Sequence, residues 1–149
     1  MELILWRHAE AEGGEPDLAR RLTPKGRRQA ERMAGWLEAR LPEDYQLVAS
    51  PAARAQETAR ALSKSIRTVD TVAPGAQPKD ILAAAGWPSA GGTVLVVGHQ
   101  PTLGQAISLL LTGAARPWRL RKGAICWLEQ RPGEQPAVAL KVLLPPDFA

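Results

Sequence analysis

The chain has 149 residues, of which 45% are apolar and 23% charged. That balance is typical of one globular domain spanning residues 1–149, and it excludes disordered, collagen-like and coiled-coil proteins. The net charge of +4 favours an anionic partner, namely nucleic acid, a membrane surface or a phosphorylated substrate, although a solvated basic surface explains it equally well. A single cysteine excludes an internal disulfide, and no apolar run is long enough for a signal peptide or a membrane span, so we expect a soluble, cytoplasmic protein.

Apolar runs and helical periodicities alternate along the chain. In chain order, the patterns predict a strand at 3–6, a helix at 24–41, a strand at 46–49, a helix at 52–63, a strand at 68–72, a helix at 79–85, a strand at 93–97, a helix at 103–112 and strands at 124–129 and 137–144. The last two strands flank a turn-rich segment, residues 130–136, which is typical of an edge hairpin. This alternation predicts an α/β domain with a mostly parallel sheet.

Polar residues follow three of the predicted strands. Arg7 and His8 come directly after the first strand. Ser50 and Arg54 follow the second strand, and His99 follows the fourth. Because ligands of such folds bind at the carboxyl ends of the strands, we expect these side chains to meet at one edge of the sheet.

His8 and His99 are the two histidines of the chain. A lone histidine is most often structural, but both of these follow apolar strands and lie beside other reactive groups. Arginines nearby argue against a metal site, because they would repel the cation, whereas their planar donor fork suits phosphate. Guanidinium charge also disfavours an imidazolium, so His8 keeps a free lone pair for attack on phosphorus.

Four segments of the chain form motifs in a fixed order. They are Leu-Trp-Arg-His-Ala at 5–9, Arg-Arg-Leu-Thr-Pro-Lys-Gly at 20–26, Ser-Pro-Ala-Ala-Arg-Ala-Gln-Glu-Thr-Ala at 50–59 and Val-Gly-His-Gln-Pro at 97–101. Together they resemble the signature segments of the histidine phosphatase (phosphoglycerate mutase-like) superfamily, with Ala9 where glycine is usual. The resemblance covers about the first two-thirds of the chain.

The resemblance implies a phosphoglycerate mutase-like fold, a three-layer αβα sandwich with a mostly parallel sheet of about six strands. Larger members insert a helical cap between the third and fourth strands, whereas residues 70–92 have room for little more than one short helix. The chain therefore resembles the compact, SixA-type branch, with an open site and no helical cap. An open site suits a phosphorylated side chain presented by another protein.

The resemblance also implies the roles of four residues. His8 is the phosphorylated nucleophile, and Arg7, Arg54 and His99 bind the phosphoryl group around it. Arg20 matches a further substrate-binding arginine of the compact members. No cofactor and no metal are implied.

Two assignments stay open at this point. Arg20 is equally well placed to form a surface ion pair with Asp17, three residues earlier. The general acid is also unassigned, because Gln100 stands where many members carry a carboxylate, and the candidates are Glu10, Glu12, Asp17 and Asp80. A weak need for an acid favours phosphohistidine as substrate, since imidazole is a good leaving group.

The predicted function is metal-independent removal of phosphate from phosphohistidine on a protein, through a phosphohistidine intermediate on the enzyme. The alternatives are a phosphatase of a small phosphate monoester and a low-turnover phosphate-binding module. The implied partner is a phosphorylated protein, for example a histidine-containing phosphotransfer domain, with neither nucleic acid nor membrane involved. A basic cluster could dock an acidic protein surface or simply form a solvated edge; it comprises Arg116, Arg119, Arg121 and Lys122.

Overall fold

A computed structural model describes residues 1–132 and 137–149 of the chain. Strands and helices alternate as the sequence predicts. The strands are β1 (Glu2–Arg7), β2 (Gln46–Ala49), β3 (Arg67–Thr68), β4 (Thr93–Gly98), β5 (Ile125–Arg131) and β6 (Ala137–Leu144). The helices are α1 (Pro24–Glu38), α2 (Ala53–Arg60), α3 (Pro78–Ala85) and α4 (Thr102–Thr112), with short 3₁₀ helices at Asp17–Ala19, Asp70–Val72 and Pro146–Phe148.

The six strands form one mixed sheet in the order β3-β2-β4-β1-β5-β6. The first four strands of that order are parallel, and β5 runs antiparallel to both β1 and β6. Helices α1 and α2 cover one face of the sheet, and α3 and α4 cover the other. The three-layer, mostly parallel α/β architecture is therefore confirmed.

The site lies at the carboxyl ends of the central strands β1 and β4, which are buried on both faces of the sheet. Their register pairs Arg7 with Gly98 at the carboxyl edge of the sheet. The next residue of each strand is a histidine, and the His8 N–H donates to the Gly98 carbonyl at 3.1 Å. On the other side of β4, the Ser50 N–H donates to the Val97 carbonyl at 3.1 Å. The sheet thus brings three chain segments to one point.

Three boundaries differ from the prediction by three residues or more. The third strand has only two residues, because the chain turns after the Val69 N–H has bonded to the Ala49 carbonyl and buries Val72 against α3. Helix α1 ends at Glu38, before Leu41, because a residue that precedes proline disfavours helical geometry. Helix α2 ends at Arg60, and residues 61–63 continue as a bonded turn.

The predicted edge hairpin is confirmed in its two strands, which pair antiparallel. Part of its connecting segment, residues 133–136, lies outside the described residues. In the part of the chain that is described, no helix combines the length and apolar character needed to cross a membrane.

Candidate active site

A cavity of about 220 Å³ opens at the carboxyl edge of the parallel strands. It is lined by Arg7, His8, Ala11, Arg20, Arg54, Pro74, His99, Gln100 and Lys122. The structure therefore brings together all five residues that the sequence singles out for substrate contact or catalysis. Its lining within the described ranges contains four cationic side chains and no carboxyl group, so the cavity is suited to an anion.

The His8 side chain is held by its own backbone segment. Its Nδ1 lies 2.7 Å from the carbonyl oxygen of Ala9, and only a protonated Nδ1 can donate to that acceptor. In the neutral ring this leaves the lone pair on Nε2. The tautomer required of a nucleophilic imidazole is thus fixed by one local hydrogen bond.

Thr58 connects the segment that follows His8 to helix α2. Its hydroxyl accepts from the Ala9 N–H at 3.0 Å and donates to the Arg54 carbonyl at 2.7 Å. The side chain is fully buried. Thr58 therefore fixes the position of His8 relative to Arg54, a role that the motif at 50–59 contains but that sequence reasoning did not assign.

The second histidine is held by Ser50. His99 Nε2 lies 2.7 Å from Ser50 Oγ, which already accepts from the Ala52 N–H at 3.2 Å. In the tautomer in which the serine donates its proton to His99 Nε2, the imidazole proton is on Nδ1. The rings of His8 and His99 are 5.2 Å apart between centroids, close enough to contact one phosphoryl group from two sides.

Arg7 and Arg54 are each anchored through the Nη atoms of the guanidinium. Arg7 Nη1 donates to the Leu120 carbonyl at 2.9 Å. Arg54, with only 4% of its surface exposed, donates from Nη1 to the Asp17 carbonyl at 2.9 Å and from Nη2 to the Asp17 carboxylate at 3.2 Å. These contacts fix both guanidinium planes, so little side-chain entropy is lost when an anion binds.

Three buried N–H donors around the cavity lack a partner within the described residues. They are Nε of Arg7, Nε of Arg54 and, in the tautomer argued above, Nδ1 of His99. A buried donor without an acceptor is costly, so these groups need a ligand or an ordered water as acceptor. A tetrahedral oxyanion presents acceptors in several directions and fits this set of donors.

Both histidines are held neutral. The pKa of His8 is lowered to about 4, mainly by burial and also by the positive charges of Arg54, Arg7 and Arg20, against the opposing hydrogen bond to Ala9. The sequence correctly predicts a neutral ring but assigns the effect to the arginines, whereas burial is the larger cause. Burial and the neighbouring His8 and Arg54 likewise lower the pKa of His99 to about 3.

Because the chain has only two histidines, their titration can be followed without interference. We expect the imidazole NMR signals of His8 and His99 to titrate below pH 5, well under the ordinary 6.5. Since the unfolded chain binds these protons near pH 6.5 and the folded chain does not, their contribution to the free energy of unfolding falls as the pH drops from 6.5 toward 4. Two imidazoles that titrate near 6.5 in the folded protein would contradict this assignment.

The four carboxylates considered as general acid lie in different surroundings. Asp17 is ionised, because hydrogen bonds from Arg20 and Arg54 lower its pKa. Glu10 accepts from the Thr23 hydroxyl at 2.8 Å. The Asp80 carboxylate accepts from the Gln77 N–H and caps α3. The remaining candidate, Glu12, is exposed and binds Arg20 only through its backbone carbonyl. None of the four lines the cavity.

Arg20 forms the predicted surface ion pair and also lies beside the cavity. It lines the cavity, and its Nε also donates to Asp17 at 3.0 Å. Cys126, in contrast, lies in the core of β5, where burial raises the pKa of its thiol to about 12 and leaves it unreactive. Within residues 1–132 and 137–149, no cluster of three or more histidine, cysteine or carboxylate side chains could hold a metal ion.

Comparisons with known proteins agree with this geometry. The family model of the histidine phosphatase superfamily (branch 1) matches residues 3–75. A structure from Nakamurella multipartitia, assigned as a phosphohistidine phosphatase SixA, is 32% identical to this chain, covers 96% of it and 94% of its own length, and superposes with a TM-score of 0.77. The chain therefore belongs to the histidine phosphatase superfamily.

Within that superfamily the chain is of the compact SixA type. The protein histidine phosphatase SixA, solved with tungstate, shares this fold with a TM-score of 0.83 over 99% of this chain and 98% of its own, at 23% identity. A phosphoserine phosphatase from Entamoeba histolytica shares it at 18% identity and a TM-score of 0.70, over 95% of either chain.

A curated relative, an uncharacterized protein from Mycobacterium leprae, is 33% identical over 103 residues. The match spans 66% of this chain and 62% of that protein.

Proposed function

We propose that this protein is a metal-independent phosphatase that removes phosphate from phosphohistidine on another protein. The observation that carries the proposal is the neutral His8 ring, whose Nδ1 is bonded to Ala9 and whose Nε2 is free in a cavity lined by arginines. A free imidazole lone pair beside fixed positive charge is what attack on a phosphoryl group requires.

In the first step, the His8 Nε2 lone pair forms a bond to phosphorus, and the bond from phosphorus to the substrate nitrogen breaks. The electron pair of that bond stays on the departing ring, which leaves as neutral imidazole because its other nitrogen carries a proton. Arg7 and Arg54 neutralise the oxygens of the transferring group, and His99 Nδ1 donates to one of them. Fixed donors of this kind act mainly by stabilising the transition state.

In the second step, a water molecule attacks phosphorus, and the bond to His8 Nε2 breaks. The lone pair returns to Nε2, the water proton passes to solvent, and orthophosphate leaves. The low pKa of His8 supports this step, because a weakly basic imidazole is a good leaving group. The same low basicity keeps the ring unprotonated and ready for the next cycle.

The nature of the leaving group distinguishes nitrogen-linked from oxygen-linked substrates. An alkoxide leaves only with strong protonation, whereas an imidazole has a conjugate acid of pKa near 6.5. No carboxyl group lines the cavity in the described ranges, and Asp17 is held ionised by arginines. The site is thus better equipped for phosphohistidine than for an alkyl phosphate.

The short segment between β3 and β4 supports a macromolecular substrate. Between β3 and β4 the chain forms only the 3₁₀ helix at Asp70–Val72 and helix α3, and α3 packs against α4 on one face of the sheet. Of residues 69–92 only Pro74 lines the cavity, which leaves a side chain presented by a folded protein room to reach His8.

The proposal is tested by comparing kcat/KM for a phosphohistidine-bearing protein with that for phosphoserine and sugar phosphates, in chelator-treated buffer. We expect the phosphohistidine protein to be preferred by about a hundredfold or more, since general-acid catalysis contributes about that much to the departure of a poor leaving group. A higher kcat/KM for a small ester would overturn the proposal, and tight binding of phosphate without turnover of any substrate would indicate a binding module.

A further inference from the structure

A second pocket lies beside the catalytic cavity. It has a volume of about 410 Å³ and shares Arg7 and Lys122 with that cavity, so the two are contiguous. We infer that this basic pocket, lined by Arg7, Lys25, Arg119, Arg121 and Lys122, binds acidic side chains that flank the phosphorylated histidine of the partner protein. The inference rests on the proposed function and specifies its substrate class.

The positive charge of the basic pocket is largely uncompensated. Lys25, Arg119, Arg121 and Lys122 are exposed, and their side chains make no hydrogen bond or ion pair with any residue in the described ranges. Six other basic side chains form ion pairs in the described residues, among them Arg20 with Asp17, Arg27 with Glu57 and Lys141 with Glu2.

Carboxylates do contribute to the same pocket, but they are outnumbered. Glu10 and Asp147 line it beside five cations. Burial lowers the pKa of the Arg7 guanidinium, and the positive charge of the nearby Arg119 lowers it further. A surface that holds cations together without partners favours an anionic ligand.

The backbone of residues 119–122, which holds three of these cations, is fixed to residues 6–8. Leu120 is buried, and its carbonyl accepts from Arg7 Nη1 at 2.9 Å. The Gly123 N–H donates to the carbonyls of both Arg7 and His8 at 3.1 Å, and the Gly123 carbonyl accepts from Trp6 Nε1 at 3.1 Å. Arg121 lies between these two anchors, so its backbone has a fixed position relative to the nucleophile.

A further contact fixes the start of the same loop. The Gln100 side chain donates to the Trp118 carbonyl at 2.9 Å and accepts from the Gly104 N–H at 2.7 Å. The Trp118 carbonyl packs so closely on α4 that a Cβ at Gly104 would overlap it. The backbone next to Arg119 is therefore braced against the segment that follows His99, and this ordering precedes binding.

The chemistry of the pocket favours carboxylates of a protein as its occupant. The cations of the pocket are spread over three chain segments, namely the end of β1, the start of α1 and the loop after α4. Spread, exposed cations suit several carboxylates on an extended or helical surface. A partner whose phosphohistidine enters the catalytic cavity must place its neighbouring residues over this pocket, since the two openings adjoin.

The test measures binding with the His8→Ala variant, which cannot turn over substrate. Two peptides carry one phosphohistidine each, flanked either by Asp and Glu or by Asn and Gln, and their Kd values are determined by fluorescence anisotropy at low ionic strength. We expect about fivefold tighter binding of the acidic peptide, since two exposed ion pairs contribute about this much, and a preference that decreases as salt is added.

The variant Lys25→Ala/Arg121→Ala should abolish the preference, because both side chains line the basic pocket and neither lines the catalytic cavity. The matched control Arg32→Ala/Lys64→Ala removes the same charge from residues that line neither pocket, and should retain the preference. Equal Kd values for the two peptides, or equal losses in both double variants, would overturn the inference. Displacement of the neutral peptide by pyrophosphate, without any acidic preference, would overturn it in favour of a second phosphate site.

Failure of the proposed function has a separate signature. It would appear as wild-type protein that leaves the neutral phosphohistidine peptide intact. The ratio of the two Kd values is measured independently of that result and still tests the preference for acidic peptides.

Discussion

Replacing His8 with alanine is expected to lower kcat/KM for a phosphohistidine substrate by about 10⁴-fold or more, the scale of loss seen when a nucleophile is removed. The lining of the cavity explains why no neighbour can substitute. It contains no serine, threonine or cysteine in the described ranges. The other imidazole, His99, is bonded through Nε2 to Ser50.

The variant should still fold, because His8 contributes only one side-chain hydrogen bond, to the neighbouring Ala9. Its melting temperature is the control for folding. Added imidazole should restore part of the activity, since a small ring fits the space that the side chain leaves. Activity within about tenfold of wild type would exclude His8 as the nucleophile, given the loss expected for a residue in that role.

Replacing Arg54 with alanine is expected to lower kcat/KM by about 10³-fold, the upper range for removing one preorganised donor group from a transition state. Arg54 is buried, its plane is fixed by Asp17, and its Nε lacks a partner in the described chain. Arg54→Lys retains the charge but loses the planar fork, so we expect it to restore less than about a tenth of wild-type activity.

The matched control is Arg60→Ala on the same helix, an exposed arginine that does not line the catalytic cavity. It should leave kcat/KM unchanged. If Arg54→Ala and Arg60→Ala had the same activity, Arg54 would have no part in binding the phosphoryl group. Steady-state kinetics on both variants, with thermal unfolding to check the fold, decides between these results.

The central strands could be predicted from the sequence because β1 and β4 are continuous apolar runs buried on both faces. The edge strand β3 could not be bounded, since its two residues are exposed and its end is set by the burial of Val72 against α3. That burial is a tertiary effect without a local signal.

Site residues could be predicted where they directly follow a strand, as His8 and His99 do. The contacts that orient them could not, because they join positions far apart in the chain. Thr58 bonds to Ala9 across 49 residues, and Arg7 bonds to the Leu120 carbonyl across 113. A backbone carbonyl also carries no side-chain signature, so the anchoring of Arg7 by Leu120 leaves no trace in the sequence.

The most direct test of the account is detection of phosphate on His8 during turnover. Wild-type protein is mixed with a substrate carrying a labelled phosphoryl group and quenched within milliseconds in alkaline detergent, because phosphohistidine is destroyed by acid. We predict labelled protein that is stable to base and labile to acid, with the label on His8 and no label on the His8→Ala variant. Turnover at saturating substrate without labelled protein, or a label on any other residue, would contradict the account.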